Sequence, residues 1–590
     1  MAWLVLDANA GVGRANSGLL HNDNSVFMNT LDWVVLFGTL LFIVAYGVWK
    51  TRNVSGMEGY LLGNKSVPWW GVCLSIMATQ ASAITFLSTP GQAYEDGMRF
   101  LQFYFGLPLA MVILSITAVP LYHKLKVYTA YEYLETRFDV RVRTLAAFFF
   151  LLLRGLSVGI TIYAPALILS TILGWNINLT TIFIGTLVMI YTVSGGTKAV
   201  SVTQKFQLTI VMGGMVLAGL IAWWKLPDSL TFGNTFRFAG ELGKMNLINL
   251  NFNLSDRYNI WSGLIGGLFL FLSYFGADQS QVGRYLSGSS VTESRLGLIF
   301  NGLLKIPMQF VILYIGIVVF VFYHFHPAPV FHNTALLDAA RTPANEIVLR
   351  NLEAEYDEVA LRKKASAHQL AEAIASNDRE IIAAGKAALQ GLNDQEKQIR
   401  LRVKEEIQTA VPGANTLDKD YVFITYVMGY LPHGLIGLLL AVVFSAAMSS
   451  TASELNSLAS TTAVDIYKRS VRPGQSDGHY VTMSKYFTAG WAVVAMIFAS
   501  IANQAENLIQ FVNIIGSLFY GTILGIFLCA FYVKRVGAKS VFFAAILAEL
   551  IILYLYHFTE VAFLLYNIIG CVAVIGFALL LELVLPAQRK

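Results

Sequence analysis

The sequence predicts an all-α protein that crosses a membrane many times, and three observations carry that prediction. Hydrophobic residues make up 56% of the 590 residues. Charged residues make up only 13%, against about 25% in a soluble globular protein. Apolar runs of the length a spanning helix needs, roughly 20 residues, recur along nearly the whole chain. The formal net charge of +5 identifies no partner, because basic residues in such proteins cluster for topological reasons, and no nucleic acid is expected. Cys73, Cys529 and Cys571 all lie in apolar segments and imply neither a disulfide framework nor a zinc site. The opening "MAWLVLDANAGVGRANSGLLHNDNSVFMN" lacks a basic leading region and does not read as a signal peptide.

Taken in order, an N-terminal segment (1–30) precedes a first helix at 31–50. Spans follow near 68–90, 100–122, 144–173, 177–194, 200–224, 259–283 and 296–323. A polar insert occupies 326–419. Further spans are expected near 430–466, 482–503, 507–533, 538–557 and 560–585, about thirteen in all. The loops "WKTRN", "HKLKV", "RFDVRVR", "GGTKAVSVTQK", "YKRSVRPGQ" and "VKRVGAK", with the terminal "QRK", then share one side. The opposite side receives "YEDGMR", "GWNIN" and "NQAEN", which are poor in Lys and Arg. The positive-inside rule therefore places the N-terminus and the insert outside a cell membrane (plasma or inner) and the C-terminus in the cytoplasm. The insert is rich in strong helix formers, with Glu–Lys and Glu–Arg neighbours at helical spacing. Asn377-Asp378 and Gly391 to Asp394 are expected to divide it into about three helices. Two readings of it stay open: an appendage stabilised by its own packing, or a docking surface for a protein partner.

The stretch "FSAAMSSTASELNSLASTTAVDIYKR", Phe444 to Arg469, continues an apolar run with a row of hydroxyls. Ala446, Ser449, Ser450, Ser453, Ser457 and Ser460 fall on one helical face. Small residues in a stripe also let membrane helices pack closely. A second segment, "LSIMATQASAITFLSTPG" (Leu74 to Gly91), places Thr79, Gln80, Ser82, Thr85, Ser88 and Thr89 inside a span and ends in Pro-Gly. It is a poor candidate for an unbroken lipid-facing helix. Interrupted helices expose carbonyls that coordinate Na⁺, and irregular backbone at that depth is tolerated only where it is buried in protein or lines a cavity. Hard cations take oxygen ligands. Hydroxyls and carbonyls without a carboxylate suit a weakly held monovalent ion, so the hydroxyl row reads as half of a sodium site.

These residues resemble the sodium:solute symporter family. The landmarks are "ATQASAITFLSTPGQAYEDG", "VYTAYEYLETRFDVRVR", "IYAPALIL", "IYTVSGGTKAV", "SYFGADQSQVGRYL" and "FSAAMSSTASELNSLASTTAVDIY". The resemblance runs from about Gly59 to Val533, the insert apart. It implies a LeuT-type five-plus-five inverted repeat: one peripheral helix (31–50), core helices one to seven (68–325), core helices eight to ten (420–533) and two further peripheral helices (538–585). It implies a Na⁺ site made by the carbonyls of Ala78, Ala81 and Ala446 and the hydroxyls of Ser449 and Ser450. Some relatives hold a second Na⁺ with an aspartate and a further seam hydroxyl. Here those positions are Gln204 and Ala452, although Ser453 remains, so one Na⁺ per cycle is expected. Glu454, at the edge of the seam, is an intramembrane carboxylate and hence a functional candidate. It is read either as an ion pair with Lys205 or Arg154 or as a coupling group.

For the solute, the resemblance points to Gln80, Ser82 and Thr85 on core helix one, Gln102 on core helix two and Asn513 on core helix ten. Tyr274 and Phe275 stand where the family keeps an aromatic inner gate. The arginine that clamps a carboxylate in the sialic acid transporters is matched by Ser157. Arg154 one turn away and Lys305 on core helix seven are further candidates for an anion, Lys305 alternatively snorkelling to the membrane surface. The expected function is Na⁺-coupled symport of a small polar solute into the cytoplasm by alternating access, with sugars, sugar acids and monocarboxylates all open. Two alternatives stay open: proton coupling through Glu454, and a non-transporting receptor acting through the insert. No His–Asp or His–Glu pair at catalytic spacing lies within a span, so an enzyme is not expected.

Overall fold

The apolar runs become helices, and the computed structural model describes residues 28–51, 67–500 and 508–584. Helix α1 (Thr30–Thr51) is followed by α2 (Trp69–Gln80), α3 (Ala83–Asp96), a 3-10 turn (Gly97–Tyr104), α4 (Leu107–Ile116) and α5 (Ala118–Leu125). The short α6 (Ala130–Arg137) leads into α7 (Val140–Leu173), α8 (Ile177–Trp224) and α9 (Phe232–Glu241). A π-turn (Ser262–Gly266) opens α10 (Gly267–Gly276), before α11 (Gln279–Leu286) and α12 (Val291–Phe325). The insert contributes α13 (Thr334–Ala340), α14 (Glu346–Ser376) and α15 (Arg379–Ala410). The chain closes with α16 (Val422–Tyr430), α17 (Leu435–Thr461), α18 (Asp477–Ala499), α19 (Leu508–Tyr532), α20 (Ala538–Phe558) and α21 (Phe563–Val584). Among the described residues, nine helical segments are long and apolar enough to cross a membrane and three more are shorter and apolar.

The span expected at 68–90 is two helices. Ala81 (φ −87°, ψ 68°) and Ser82 (φ −76°, ψ 172°) leave the helical region, so the interruption lies there and not at Pro90-Gly91, which sit inside α3. Gly91 is needed for close approach: a Cβ there would lie 2.0 Å from the Lys419 carbonyl oxygen. The span expected at 259–283 is likewise broken, at Ala277–Asp278, where the Asp278 side chain caps α11 by accepting from the Ser280 N–H. The spans expected at 177–194 and 200–224 run as one 48-residue helix, α8. A Gly-Gly pair keeps its backbone donors and so weakens a helix without ending it, unlike proline.

Core packing places α12 against α2 and α3, and α17 against α1, α7 and α8. Helix α19 packs against α7, α10 and α21. Buried Asp32 on α1 accepts from the Gly434 N–H (2.6 Å) and the Gly437 N–H (3.2 Å), so it caps α17 from outside.

The insert divides at Asn377-Asp378 as expected, with Asn377 in the left-handed region (φ 57°) and Asp378 capping α15. Gly391 to Asp394 do not break it: α15 continues through them, because one glycine costs only about 1 kcal/mol in a long helix of good formers. The hairpin has its own apolar core, including Leu352, Tyr356, Val359, Ile399 and Val403. A buried Lys363–Glu396 pair crosses it, and Asp418 receives Arg400 (2.6 Å) and Lys404 (2.9 Å). Burial opposes ionisation of Asp418, but Arg400, His332 and Lys404 hold its carboxyl well below the usual carboxylate range.

Candidate functional site

Ending α2 at Gln80 releases its last carbonyls from helical partners. Those of Ala78 and Ala81 belong to that set. Helix α17, which carries the hydroxyl row, packs on both α2 and α3. The Ser449 hydroxyl is buried without a hydrogen-bond partner among the described residues. The Ser450 hydroxyl donates to the Ala446 carbonyl at 2.9 Å. Backbone carbonyls and hydroxyls without a carboxylate are the kind of donors that suit a monovalent cation. Gln204 stands beside it as a tie between helices: its amide oxygen accepts from Ser75 (3.1 Å) and its amide NH₂ donates to Thr79 (3.4 Å). Ser453 accepts from the buried guanidinium of Arg284.

Next to the interruption lies a cavity of about 700 Å³, its open mouth included. Gln80, Ser82 and Thr85 line it from α2, α3 and their junction, and Asn513 lines it from α19. Tyr274 contributes one wall. Phe275 is fully buried and packs against the Tyr274 ring with centroids 4.9 Å apart, behind the wall. Gln102 is a correction: it does not reach the cavity. Its NH₂ donates to the Tyr258 carbonyl (3.0 Å) and its oxygen accepts from the Asn249 N–H (3.1 Å), so it anchors the irregular segment before α10. Sequence reading identifies a buried amide in a span but not which backbone groups it satisfies.

Lys305 does not snorkel. It is 1% exposed, its Nζ has no hydrogen-bond partner among the described residues, and it lines the cavity 5.7 Å from the centre of the Tyr104 ring. Arg154 also reaches the wall, but its guanidinium is engaged. It donates through Nε to Asp278 (2.6 Å), through Nη1 to Glu454 (3.0 Å) and through Nη2 to the Tyr520 hydroxyl (3.0 Å). Glu454 accepts in addition from Thr161 (3.1 Å), and Tyr520 donates to Asp278 (2.8 Å). Of the two partners expected for Glu454, Arg154 is the one it meets; the Lys205 side chain lies outside the described residues. Asp278, Tyr520 and Arg284 were not singled out as site residues. The signal was present for Asp278, a carboxylate inside "SYFGADQSQ" within a span.

The profile of the Sodium:solute symporter family matches residues 60–366 and 403–548. The sodium/sialic acid symporter of Proteus mirabilis (strain HI4320) is 27% identical over 561 residues, covering 92% of this chain and 93% of that protein. Human sodium-coupled monocarboxylate transporter 1 is 33% identical over 273 residues, 46% of this chain and 44% of its own length. The human sodium/iodide cotransporter is 32% identical over 299 residues, 50% of this chain and 45% of its own. The solved structure of a Na⁺-coupled sialic acid symporter, in a substrate-bound outward-open state, superposes with a TM-score of 0.72 at 24% identity, covering 95% of this chain and 99% of that one. The fold is thus the LeuT-type architecture.

Proposed function

Because the chain belongs to the sodium:solute symporter family, we propose that it is a secondary active transporter that carries one Na⁺ with a small polar solute by alternating access. The observation that carries this reading is the α2–α3 interruption packed against α17, whose Ser449 hydroxyl is buried without a partner among the described residues, with a cavity lined by Gln80, Ser82 and Thr85 alongside. Na⁺ would be held by the carbonyls of Ala78, Ala81 and Ala446 and the hydroxyls of Ser449 and Ser450. In doing so it would join α2 to α17 and favour one arrangement of the helices over the other, which is how a ligand shifts such an equilibrium. One Na⁺ is favoured over two. Gln204 brings no charge, and the Arg284 guanidinium already stands on Ser453.

The solute would contact Gln80, Ser82, Thr85 and Asn513, with Tyr274 as a gate. A solute with a carboxylate is favoured over a neutral sugar, because Lys305 presents a buried amine to the cavity with no carboxylate partner among the described residues, and an incoming carboxylate would hold it as the ammonium. The sialic acid and monocarboxylate symporters among the relatives carry solutes of that kind. Proton coupling through Glu454 is not favoured, since Arg154 and Thr161 hold that carboxylate as a hydrogen-bonded ion pair. The basic loops place the N-terminus and the insert outside and the C-terminus in the cytoplasm, so inward transport would draw on the sodium gradient and about 2.3 kcal/mol per charge per 100 mV.

The test is thermal stability of the purified protein in NaCl, KCl and choline chloride at matched ionic strength, for wild type and Ser449→Ala/Ser450→Ala. A rise specific to sodium and lost in the variant is expected. An equal response to all three salts would sink the sodium reading.

A further inference from the structure

Glu549 is a further carboxylate that the fold buries in a membrane span, and nothing in the sodium or solute site uses it. It lies on α20, roughly 16 Å along the helix from its first residue at 1.5 Å per residue. It is 6% exposed, and both carboxyl oxygens are enclosed without a hydrogen-bond partner that meets normal geometry. No Lys, Arg or His forms an ion pair with it among the described residues. The polar group that faces it is the hydroxyl of Thr522 on α19, which also lacks another partner. The neighbouring surface is tightly closed. A Cβ on Gly521 would lie 2.7 Å from the Tyr566 carbonyl oxygen, and one on Gly570 would lie 3.0 Å from the Thr522 nitrogen. Asn567 of α21 donates to Ser517 of α19 at 3.0 Å across the same interface.

The contrast with Glu454 is informative. Glu454 has an arginine, Arg154, which it shares with Asp278; Glu549 has none among the described residues. An isolated carboxylate withdrawn from water carries one of the largest penalties a fold can hold, and such a group neutralises instead. As a neutral acid it gains an O–H donor, and the Thr522 oxygen is the acceptor within reach.

We propose that Glu549 is a proton-binding site in the α19–α20 interface, whose O–H, when protonated, turns to Thr522 and which is thereby linked to α19. Two residues before Thr522 on the same helix, Tyr520 bonds to Asp278 and Arg154 beside the solute cavity. Movement of α19 that opens the α19–α20 interface to water changes what surrounds the carboxyl. Release then breaks its O–H bond, leaves the electron pair on the carboxylate oxygen and passes the proton to water. Protonation and the position of α19 are linked, because each state of the helix favours one state of the acid. The inference does not rest on the sodium reading.

The experiment is infrared spectroscopy of the full chain in lipid at pH 7, in H₂O and D₂O. The wild type is expected to show the C=O stretch of a protonated carboxyl that shifts on deuteration. Glu549→Gln should lose that band, and Glu454→Gln should keep it. Thr522→Val should move its frequency by removing the acceptor, and Tyr520→Phe should move it through the helix. Identical spectra for wild type and Glu549→Gln would overturn the proton site. A band unmoved by both Thr522→Val and Tyr520→Phe would overturn the link to α19. Should Glu549→Gln fail to fold, the Thr522→Val frequency still decides. The salt-dependent melting above is independent of this band, so failure of either reading is visible separately.

Discussion

Arg154→Met removes the one cation, among the described residues, that two buried carboxylates share. Arg154 is 4% exposed, Asp278 1% and Glu454 7%, so none of the three has bulk water to fall back on. The guanidinium makes contacts of 2.6 Å to Asp278 and 3.0 Å to Glu454. Breaking one buried pair by deleting a partner costs about 3–5 kcal/mol, because a charge is left uncompensated. Here two are left, and only the Tyr520 and Thr161 hydroxyls and the Ser280 amide and hydroxyl remain to them. The variant is therefore expected to lose at least the upper part of that range. Replacing the whole network by neutral groups is a different perturbation, often nearly neutral in stability. The triple variant Arg154→Met/Asp278→Asn/Glu454→Gln should recover most of the loss, and Asn at 278 can still cap α11. The assay is thermal unfolding followed by a thiol-reactive fluorophore, since Cys73, Cys529 and Cys571 are free and buried in the native fold. Added salt should change the result little, buried pairs being weakly screened. The reasoning is refuted if Arg154→Met melts like wild type, or if the triple variant is no more stable than the single.

Lys305→Gln should weaken binding of a carboxylated solute roughly 10- to 100-fold, the equivalent of one charge-assisted hydrogen bond of about 1.5–3 kcal/mol. Uptake into proteoliposomes of the acid beside its neutral amide checks this, and an equal loss for both would count against an anion site. Asp420, buried with its carboxylate accepting from the Leu508 N–H (3.1 Å), is pushed up to about 6 by burial, against about 3.9 for a free aspartate. Its folded form binds the proton more tightly, so its contribution to stability is complete below about pH 4 and is lost as pH rises through about 6. Wild type should thus lose about 2 kcal/mol relative to Asp420→Asn between pH 4 and pH 7, and parallel pH–stability curves would contradict that sign. Asp32→Ala should cost about 0.5–2 kcal/mol as the loss of a helix cap, read as a lower melting temperature, with Asp32→Asn restoring most of it.

The sequence by itself determines what depends on local periodicity and composition. The membrane class, the order of the spans, the shared face of Ala446, Ser449, Ser450 and Ser453, and the division of the insert at Asn377-Asp378 are all written within a few turns of helix. Even the expectation that the first core helix is interrupted follows from six polar side chains in one span. Tertiary structure decides what depends on groups distant in the chain. The interruption falls at Ala81–Ser82 and not at the proline, because Gly91 lets α3 continue past Lys419. Gln102 faces the backbone of Asn249 and Tyr258 and not the solute cavity. Lys305 meets no anion among the described residues while Arg154 takes two, Asp278 and Glu454, which stand 124 and 300 residues away. Helical spacing says which side chains share a face. Whether a buried charge meets its opposite is settled only when faces from separate helices are brought together, since Coulomb and hydrogen-bond energies depend on distances in space and not on separation along the chain.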